Sequence, residues 1–566
     1  MATFTPPTDR PPEGRPPRRG RAGRAQRRRG VPPRRGPALA GLALMTVVVA
    51  AIAVWGAATG SGRRVAHRPT GSGAARSAPA SRPAPAVRPV RIQARLVIEP
   101  GAPSIRIPRS FLGFSTEYWT LPVDERHIAL YRRVIALVHV PGDGRFVLRI
   151  GGDSSDQALW EPARRLRDKP WAFPLTPRWI RRTARVVREN HLRVIIDLNA
   201  ITGNARLAAA WAREAEHEFP RHSIIGFEIG NEPDLYARSA FTTHLHRKAI
   251  DLGRLPLAIT PASYASTYQV YARALARVAP HVPLLGPALA EPSVDSLWIA
   301  TLIDGPHPRL GAITVHEYPY SACDRPGSSD YPSVAKLLST HAVAQMAAAV
   351  APAVRLAHSA GIPVRVTELN SVTCSGVRGI SNTFATALWA PGALFELARA
   401  GVLAADLHVR VYSINAPFRF DVDGLRARPL LYGLILFARM LGPHSSLVRL
   451  RLDASSSLRL EAWAVREGRR TLNVLLIDKG RRSVNVRLRL PATGPARIQR
   501  LLAPSASSTG HVTLDGQRLN DDVRWTGHRV IQTVPRVAGR YTVPVRGMSA
   551  ALVTVRSDTG AAAPGR

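Results

Sequence analysis

The reading of this 566-residue chain turns on one stretch, Ile224-Ile-Gly-Phe-Glu-Ile-Gly-Asn-Glu-Pro-Asp-Leu-Tyr236. Its first half is largely apolar, and a short apolar run bounded by glycine and proline reads as a strand buried on both faces. Pro233 ends that strand, because proline has no N–H for a sheet ladder. Asn231 and Glu232 are left at its C-terminal end. In a parallel α/β barrel that end is the face that carries the chemistry. A second stretch, Ile362-Pro-Val-Arg-Val-Thr-Glu-Leu-Asn370, repeats the pattern with Glu368 at the end of a β-branched run. Two glutamates at the ends of two barrel strands predict a hydrolase that works with paired carboxylates.

Outward from these two, eight strand candidates alternate with helical stretches. They are 111–115, 146–151, 194–199, 224–230, 284–288, 313–316, 364–368 and 407–413, with amphipathic runs such as 177–190 and 267–278 between them. Strands alternating with helices predict a parallel sheet, and eight of them predict an α/β fold of the (β/α)8 TIM-barrel type over residues 110–442. Polar residues gather at the predicted strand ends: Glu117, Asp153, Asn199, Asn231, His316, Tyr318 and Asn370, with Tyr412 on the eighth strand. Ligand pockets are built from such convergent polar groups.

The flanks read differently. Residues 1–36 are rich in Pro, Gly and Arg, have too few apolar side chains to form a core, and are expected to be a disordered basic tail on the cytoplasmic side. Residues 37–59 carry no charge and reach the ~20 residues of a bilayer span, with Trp55 near the far end. The expectation is one transmembrane helix in the cell membrane with the catalytic part outside the cytoplasm. The alternative is a signal peptide, cleaved to release a secreted enzyme. Residues 60–90, made mostly of Ala, Pro, Ser, Gly and Arg, read as a stalk. Residues 91–109 read as one or more strands pairing with a C-terminal β-sandwich over 443–556. Short alternating strands 458–465, 471–477, 483–490, 496–502 and 542–555 mark that domain, and a disordered tail follows from 557.

Lys and Arg number 78 against 39 Asp and Glu, a formal charge of +39. Arginine is spread evenly, and no zinc finger, P-loop or RNA-binding signature accompanies it. Nucleic acid is therefore not the expected partner, whereas an acidic polysaccharide would be drawn to such a surface. Two cysteines exclude a disulfide-rich scaffold.

Glycoside cleavage by a retaining enzyme needs one protonated carboxyl for the leaving oxygen and one ionised carboxylate for the anomeric carbon. Glu232 is expected to be the acid and later the base, and Glu368 the nucleophile. Asn231 is placed to bind the sugar 2-hydroxyl, and Tyr318 to hold the nucleophile. No metal or cofactor is expected, since the two carboxylates carry the proton and covalent work. The structural alternative for either glutamate is an ion pair with one of the many arginines.

Asn231-Glu232 after the fourth strand, with Glu368 after the seventh, resembles the retaining (β/α)8 glycosidases of clan A. The run Phe227-Glu-Ile-Gly-Asn-Glu-Pro-Asp-Leu-Tyr236, with Phe111-Leu-Gly-Phe-Ser-Thr-Glu117 and Arg149-Ile-Gly-Gly-Asp-Ser-Ser155, is similar to glycoside hydrolase family 79, which contains heparanase and β-glucuronidases. The resemblance spans about residues 95–555. It implies that Glu117, Asp153 and Asn231 contact sugar hydroxyls, and that Tyr318 and Tyr412 line the subsite of the cleaved sugar. It also implies a β-glucuronidase-like specificity. A β-xylosidase or arabinofuranosidase specificity, or a noncatalytic polysaccharide-binding protein, remain the alternatives. Cys323 and Cys374 follow the sixth and seventh strands, so a disulfide between them is expected at the rim of an extracytoplasmic domain.

Overall fold

The computed structural model describes residues 91–160, 172–237, 259–410, 412–421 and 423–557. The expected tail, membrane span and stalk over residues 1–90 lie outside the described residues, as does all but the first residue of the tail expected from 557. Among the described residues, no helix is long and apolar enough to cross a membrane.

Eight parallel strands close into a barrel: β1 (Leu112–Glu117), β2 (Val147–Gly151), β3 (Arg193–Leu198), β4 (Ile224–Ile229), β5 (Leu284–Leu289), β6 (Leu310–Glu317), β7 (Val364–Leu369) and β8 (Ala404–His408). They follow chain order around the barrel, and β8 pairs with β1 to close it. The period-2 alternation of a strand sorts the side chains. Along β2, Leu148 and Ile150 join the core shared with the surrounding helices. Val147 points the other way and packs with Ile195, Leu285 and Ala312 in a separate apolar layer inside the barrel. Further toward the strand C-termini the inward positions turn polar, beginning with Arg149.

The helices are held by their sequences as well as by the sheet. Pro177–Glu189 starts with proline at a position where no N–H is needed, and the Thr176 hydroxyl accepts from the Trp179 N–H. Trp179, Ile180, Thr183, Ala184, Val186 and Val187 recur at helical spacing and are buried. Fully burying a large apolar side chain contributes about 1.5–3 kcal/mol. The helix expected over 267–278 begins earlier, at Pro261, because Thr260 and Ser263 form a reciprocal capping box ahead of it.

Two expectations need correction. The eighth strand ends at His408, not Ser413. The last ladder bond runs from Val409 N–H to Ser115 O, and beyond it Ser413 N–H closes a turn onto Arg410 O. The single strand expected over 542–555 is two, Tyr541–Val545 and Ser549–Ser557, lying in different sheets.

The C-terminal domain is a β-sandwich. One sheet contains Ser445–Val448, Leu460–Glu467, Thr471–Asp478, Ser549–Ser557 and Ala492–Leu502, with Ser104–Arg106 at its edge. The other orders Arg451–Ala454, Ala94–Val97, Val484–Arg489 and Tyr541–Val545. The two strands ahead of the barrel are thus part of the sandwich. Leu447, Val465, Leu475, Ile477, Leu501 and Leu552 belong to the same apolar core as the barrel helices. That face of the sandwich is continuous with the barrel core, while Leu96, Val474, Val486, Tyr541 and Val553 pack in a second core between the two sheets.

Candidate active site

The strand ends converge on Arg149, which is fully buried. Its Nε donates to Glu228 Oε2 at 2.6 Å. Nη1 donates to Ser115 Oγ at 3.2 Å and Glu368 Oε2 at 3.0 Å, and Nη2 to Asp197 Oδ2 at 3.1 Å and Asn231 Oδ1 at 3.0 Å. All five N–H groups are used, as the rigid fork of a guanidinium allows. The barrel register delivers these partners, setting Ser115 beside Arg149 and Asp197 beside Glu228. The remaining oxygen of Glu228 accepts from Thr367 Oγ1 at 2.8 Å.

Glu368 sits at the end of β7. Its Oε1 accepts from the Tyr318 hydroxyl at 2.7 Å, and its Oε2 faces Arg149 and, at 3.2 Å, His408 Nδ1. Burial works against its charge, but His408, His316, Arg149 and the Tyr318 hydrogen bond outweigh it and bring its pKa down to about 2. Glu232 has the opposite environment. Burial, then the charges of Glu368 and Asp153, push its pKa well above the ordinary carboxylate value. One carboxylate oxygen of each glutamate and one ring nitrogen of His316 all lie within 4.8 Å of one another. Neighbouring carboxyls with proton affinities driven apart can divide proton donation and charge-bearing work between them.

Glu232 is aimed by strained backbone. It adopts φ 48° and ψ 53°, a left-handed conformation that costs a residue with a Cβ, and its N–H is tied to Ala288 O at 3.1 Å. Gly230, at φ +81°, makes the preceding turn, and a Cβ there would meet Ala200 Cβ at 2.8 Å. His316 Nδ1 lies 2.8 Å from Glu232 Oε1, and burial lowers the His316 pKa to about 4.

Asn231 accepts from Arg149, and its amide N–H groups make no hydrogen bond among the described residues, which leaves them for a ligand. Glu117 is buried at the end of β1, where Oε2 accepts from Ser154 N–H at 2.8 Å. Burial opposes its charge, yet Arg410, His408 and Ser154 hold its pKa below the ordinary value. Gly152 is required beside it, since a Cβ there would meet the Glu117 carboxyl at 2.9 Å. Asp153 stands at the mouth, with its side chain 64% exposed and 3.8 Å from Arg410 Nη1. Cys323 and Cys374 form a disulfide with Cα atoms 5.8 Å apart, joining the loops after β6 and β7.

Not every predicted residue stays in the site. Tyr412 lies beyond the end of β8 and is 60% exposed. Asn199 and Asn370 spend their amides on backbone carbonyls, of Asp156 and Ala158 in one case and of His408 and Asn415 in the other, and brace the loops. Sequence reasoning left Arg149, His408 and Arg410 without roles. Cations are abundant here, so none stands out by type. The available signal was position: Arg149 and His408 interrupt strands that are otherwise mostly apolar.

Glu232, His316 and Glu368 also have spacing that ligands to a cation would have. Their chemistry does not suit one. Both Glu368 oxygens are already hydrogen-bonded, the Arg149 guanidinium lies 3.0 Å from it, and burial with the charges of Glu368 and Asp153 favours the protonated form of Glu232.

A closed parallel barrel with two opposed glutamates at its C-terminal rim, backed by a β-sandwich, defines a glycoside hydrolase. Residues 461–552 match the family described as "Glycosyl hydrolase family 79 C-terminal beta domain". The chain is a glycoside hydrolase, and its C-terminal β domain is similar to that of family 79. No curated protein sequence matches the chain. Among solved structures it is similar to a 4-O-α-L-rhamnosyl-β-D-glucuronidase from Fusarium oxysporum 12S, at 18% identity and TM-score 0.64, over 81% of this chain and 100% of that one. It is also similar to a family 51 α-L-arabinofuranosidase from Bifidobacterium longum, at 13% identity and TM-score 0.59, over 82% of this chain and 100% of that one. An α-L-arabinofuranosidase from Thermotoga maritima shares the fold at 15% identity and TM-score 0.57, over 82% of this chain and 100% of that one.

Proposed function

We propose that the protein is a retaining β-glycosidase that cleaves uronic-acid glycosides by double displacement. The observation that carries this is the closeness of the two carboxyls. One oxygen of Glu232 and one of Glu368 lie within 4.8 Å. Retaining enzymes hold the pair at about 5–5.5 Å, whereas inverting enzymes leave about 6.5–9.5 Å for a water.

In the first step the Glu368 carboxylate forms a bond to the anomeric carbon as the bond to the leaving oxygen breaks, and Glu232 gives its proton to that oxygen. In the second, Glu232, now ionised, takes a proton from water as the water oxygen attacks the anomeric carbon. The bond to Glu368 breaks, and Glu368 regains its charge while Glu232 regains its proton. Tyr318 and Arg149 hold Glu368 in place, and a carboxylate anchored by charged hydrogen bonds needs little reorganisation when it attacks. Asn231 offers its amide N–H groups to the 2-hydroxyl, a contact that strengthens as positive charge develops on the ring.

The uronate specificity is supported by the family 79 C-terminal domain and by the glucuronidase named among the similar structures. The placement outside the cytoplasm, on a membrane anchor or after signal cleavage, rests on the apolar run 37–59 and the basic flank before it.

The test is hydrolysis of an aryl β-glucuronide by residues 91–566, with the anomer formed first read by proton NMR. The β-anomer is expected first. Glu368→Ala should lose at least about 10⁴-fold in kcat. Glu232→Gln should lose most activity on poor leaving groups and less on activated aryl ones. An α-anomer formed first would overturn the retaining mechanism. Turnover of an aryl arabinofuranoside or xyloside in place of the glucuronide would discard the uronate specificity alone.

A further inference from the structure

A second guanidinium stands at the site, and its situation is the reverse of Arg149's. Arg410 follows the end of β8 and is three-quarters buried, with 27% of its side chain exposed. It makes no side-chain hydrogen bond among the described residues, and its Nε is buried without a partner. Two carboxylates lie near but outside hydrogen-bond range: Glu117 Oε1 is 3.6 Å from Nε, and Asp153 Oδ2 is 3.8 Å from Nη1. Trp119 lies 5.0 Å from its Cζ and supports the guanidinium. The same neighbourhood holds the nucleophile: His408, two residues before Arg410, is 3.2 Å from Glu368 and 3.6 Å from Glu117.

A buried N–H donor costs free energy unless an acceptor reaches it, so a fork left without hydrogen bonds is unusual when its only role is structural. Glu117 does not fill the part, because its other oxygen is committed to Ser154 N–H at 2.8 Å and its charge is shared with His408. Asp153 does not fill it either, being largely in solvent. A planar guanidinium supported by an indole matches a planar carboxylate, which can take two parallel N–H bonds from it. A lysine there would supply charge without that geometry.

We infer that Arg410, steadied by Trp119, receives the carboxylate of the uronic acid bound in the cleft and so determines specificity for uronic over neutral sugars. This rests on the glycosidase reading above and adds to it the residue that recognises the acid group.

The experiment compares kcat/KM on aryl β-glucuronide and aryl β-glucoside for the wild type, Arg410→Lys and Arg410→Gln, with inhibition by free glucuronate measured alongside. Arg410→Gln should lower the glucuronide-to-glucoside ratio at least 30-fold and weaken glucuronate inhibition by a similar factor. Arg410→Lys should fall between, since it keeps the charge and loses the fork. It also guards against a glutamine variant that fails to fold. A purely structural role would lower both substrates together and leave the ratio unchanged, which overturns the inference while wild-type turnover of glucuronide leaves the glycosidase reading intact. A wild type that turns over only neutral glycosides removes the uronate specificity, and this assignment with it.

Discussion

At the scale of single residues, His408 links the carboxylates of the cleft. Its Nδ1 is 3.2 Å from Glu368 and its Nε2 3.6 Å from Glu117, with Ser115 Oγ at 3.3 Å. Burial favours the neutral ring, but Glu368 and Glu117 outweigh it and raise its pKa, with Arg410 acting the other way. The charged ring in turn lowers the pKa of Glu368. The sign follows directly. With the cation gone, Glu368 holds its proton to higher pH, and only its ionised form attacks. His408→Gln should therefore move the acid limb of the kcat/KM–pH profile upward. The alkaline limb reports loss of the Glu232 proton as pH rises through its elevated pKa, and it should remain. Superimposable acid limbs for wild type and variant would show that His408 does not tune the nucleophile. The positions of Glu232 and Glu368 were legible in sequence because each glutamate ends an apolar run, a placement with few structural uses. The cations that set their proton affinities were not legible, because Arg149 reaches partners on four other strands or the loops that follow them.

At the scale of elements, the loop after β6 begins with Tyr318, which hydrogen-bonds Glu368, and the disulfide ties that loop to the one after β7 across a separation of 51 residues. Closing a loop of that length removes about 4 kcal/mol of chain entropy from the unfolded state in the chain-entropy account. Replacing both cysteines by alanine should lower the stability read from urea unfolding by about 2–4 kcal/mol. An unchanged midpoint would mean that the packed loops hold without the bond. Strand positions were readable from apolar runs, but strand ends were less so. At β8 the apolar alternation continues in the sequence through Val409 and Val411, and only the turn onto Arg410 O ends the ladder. At 541–557 a continuous β-like run is divided because its halves pair with different partners, Val484–Arg489 and Thr471–Asp478. Strand pairing is a long-range choice that a local pattern does not carry.

At the scale of the whole molecule, the barrel helices and one face of the sandwich share an apolar core. The last barrel helix, Pro429–Met440, is buried along nearly its whole length. Arg439 at its end reaches Asp515 of the sandwich at 2.8 Å, under Trp525 at 5.3 Å. A barrel cut after residue 442 would expose that helix, and an apolar face of this size in water favours association. A protein of residues 91–557 should unfold cooperatively, whereas residues 110–442 should be aggregated or molten; cooperative, soluble unfolding of the shorter piece would refute the shared interior. The eight β–α alternations, the two glutamates and the short strands of the second domain were written in local patterns of apolarity and turn residues, so order along the chain was enough to find them. The proton affinities of Glu232 and Glu368, the five-donor hub of Arg149, the exposure of Tyr412 and the fork of Arg410 without hydrogen bonds belong to the assembled protein alone. Each depends on which side chains from distant strands meet in a space from which water is largely removed, and burial and charge at a few ångströms act only once that space exists.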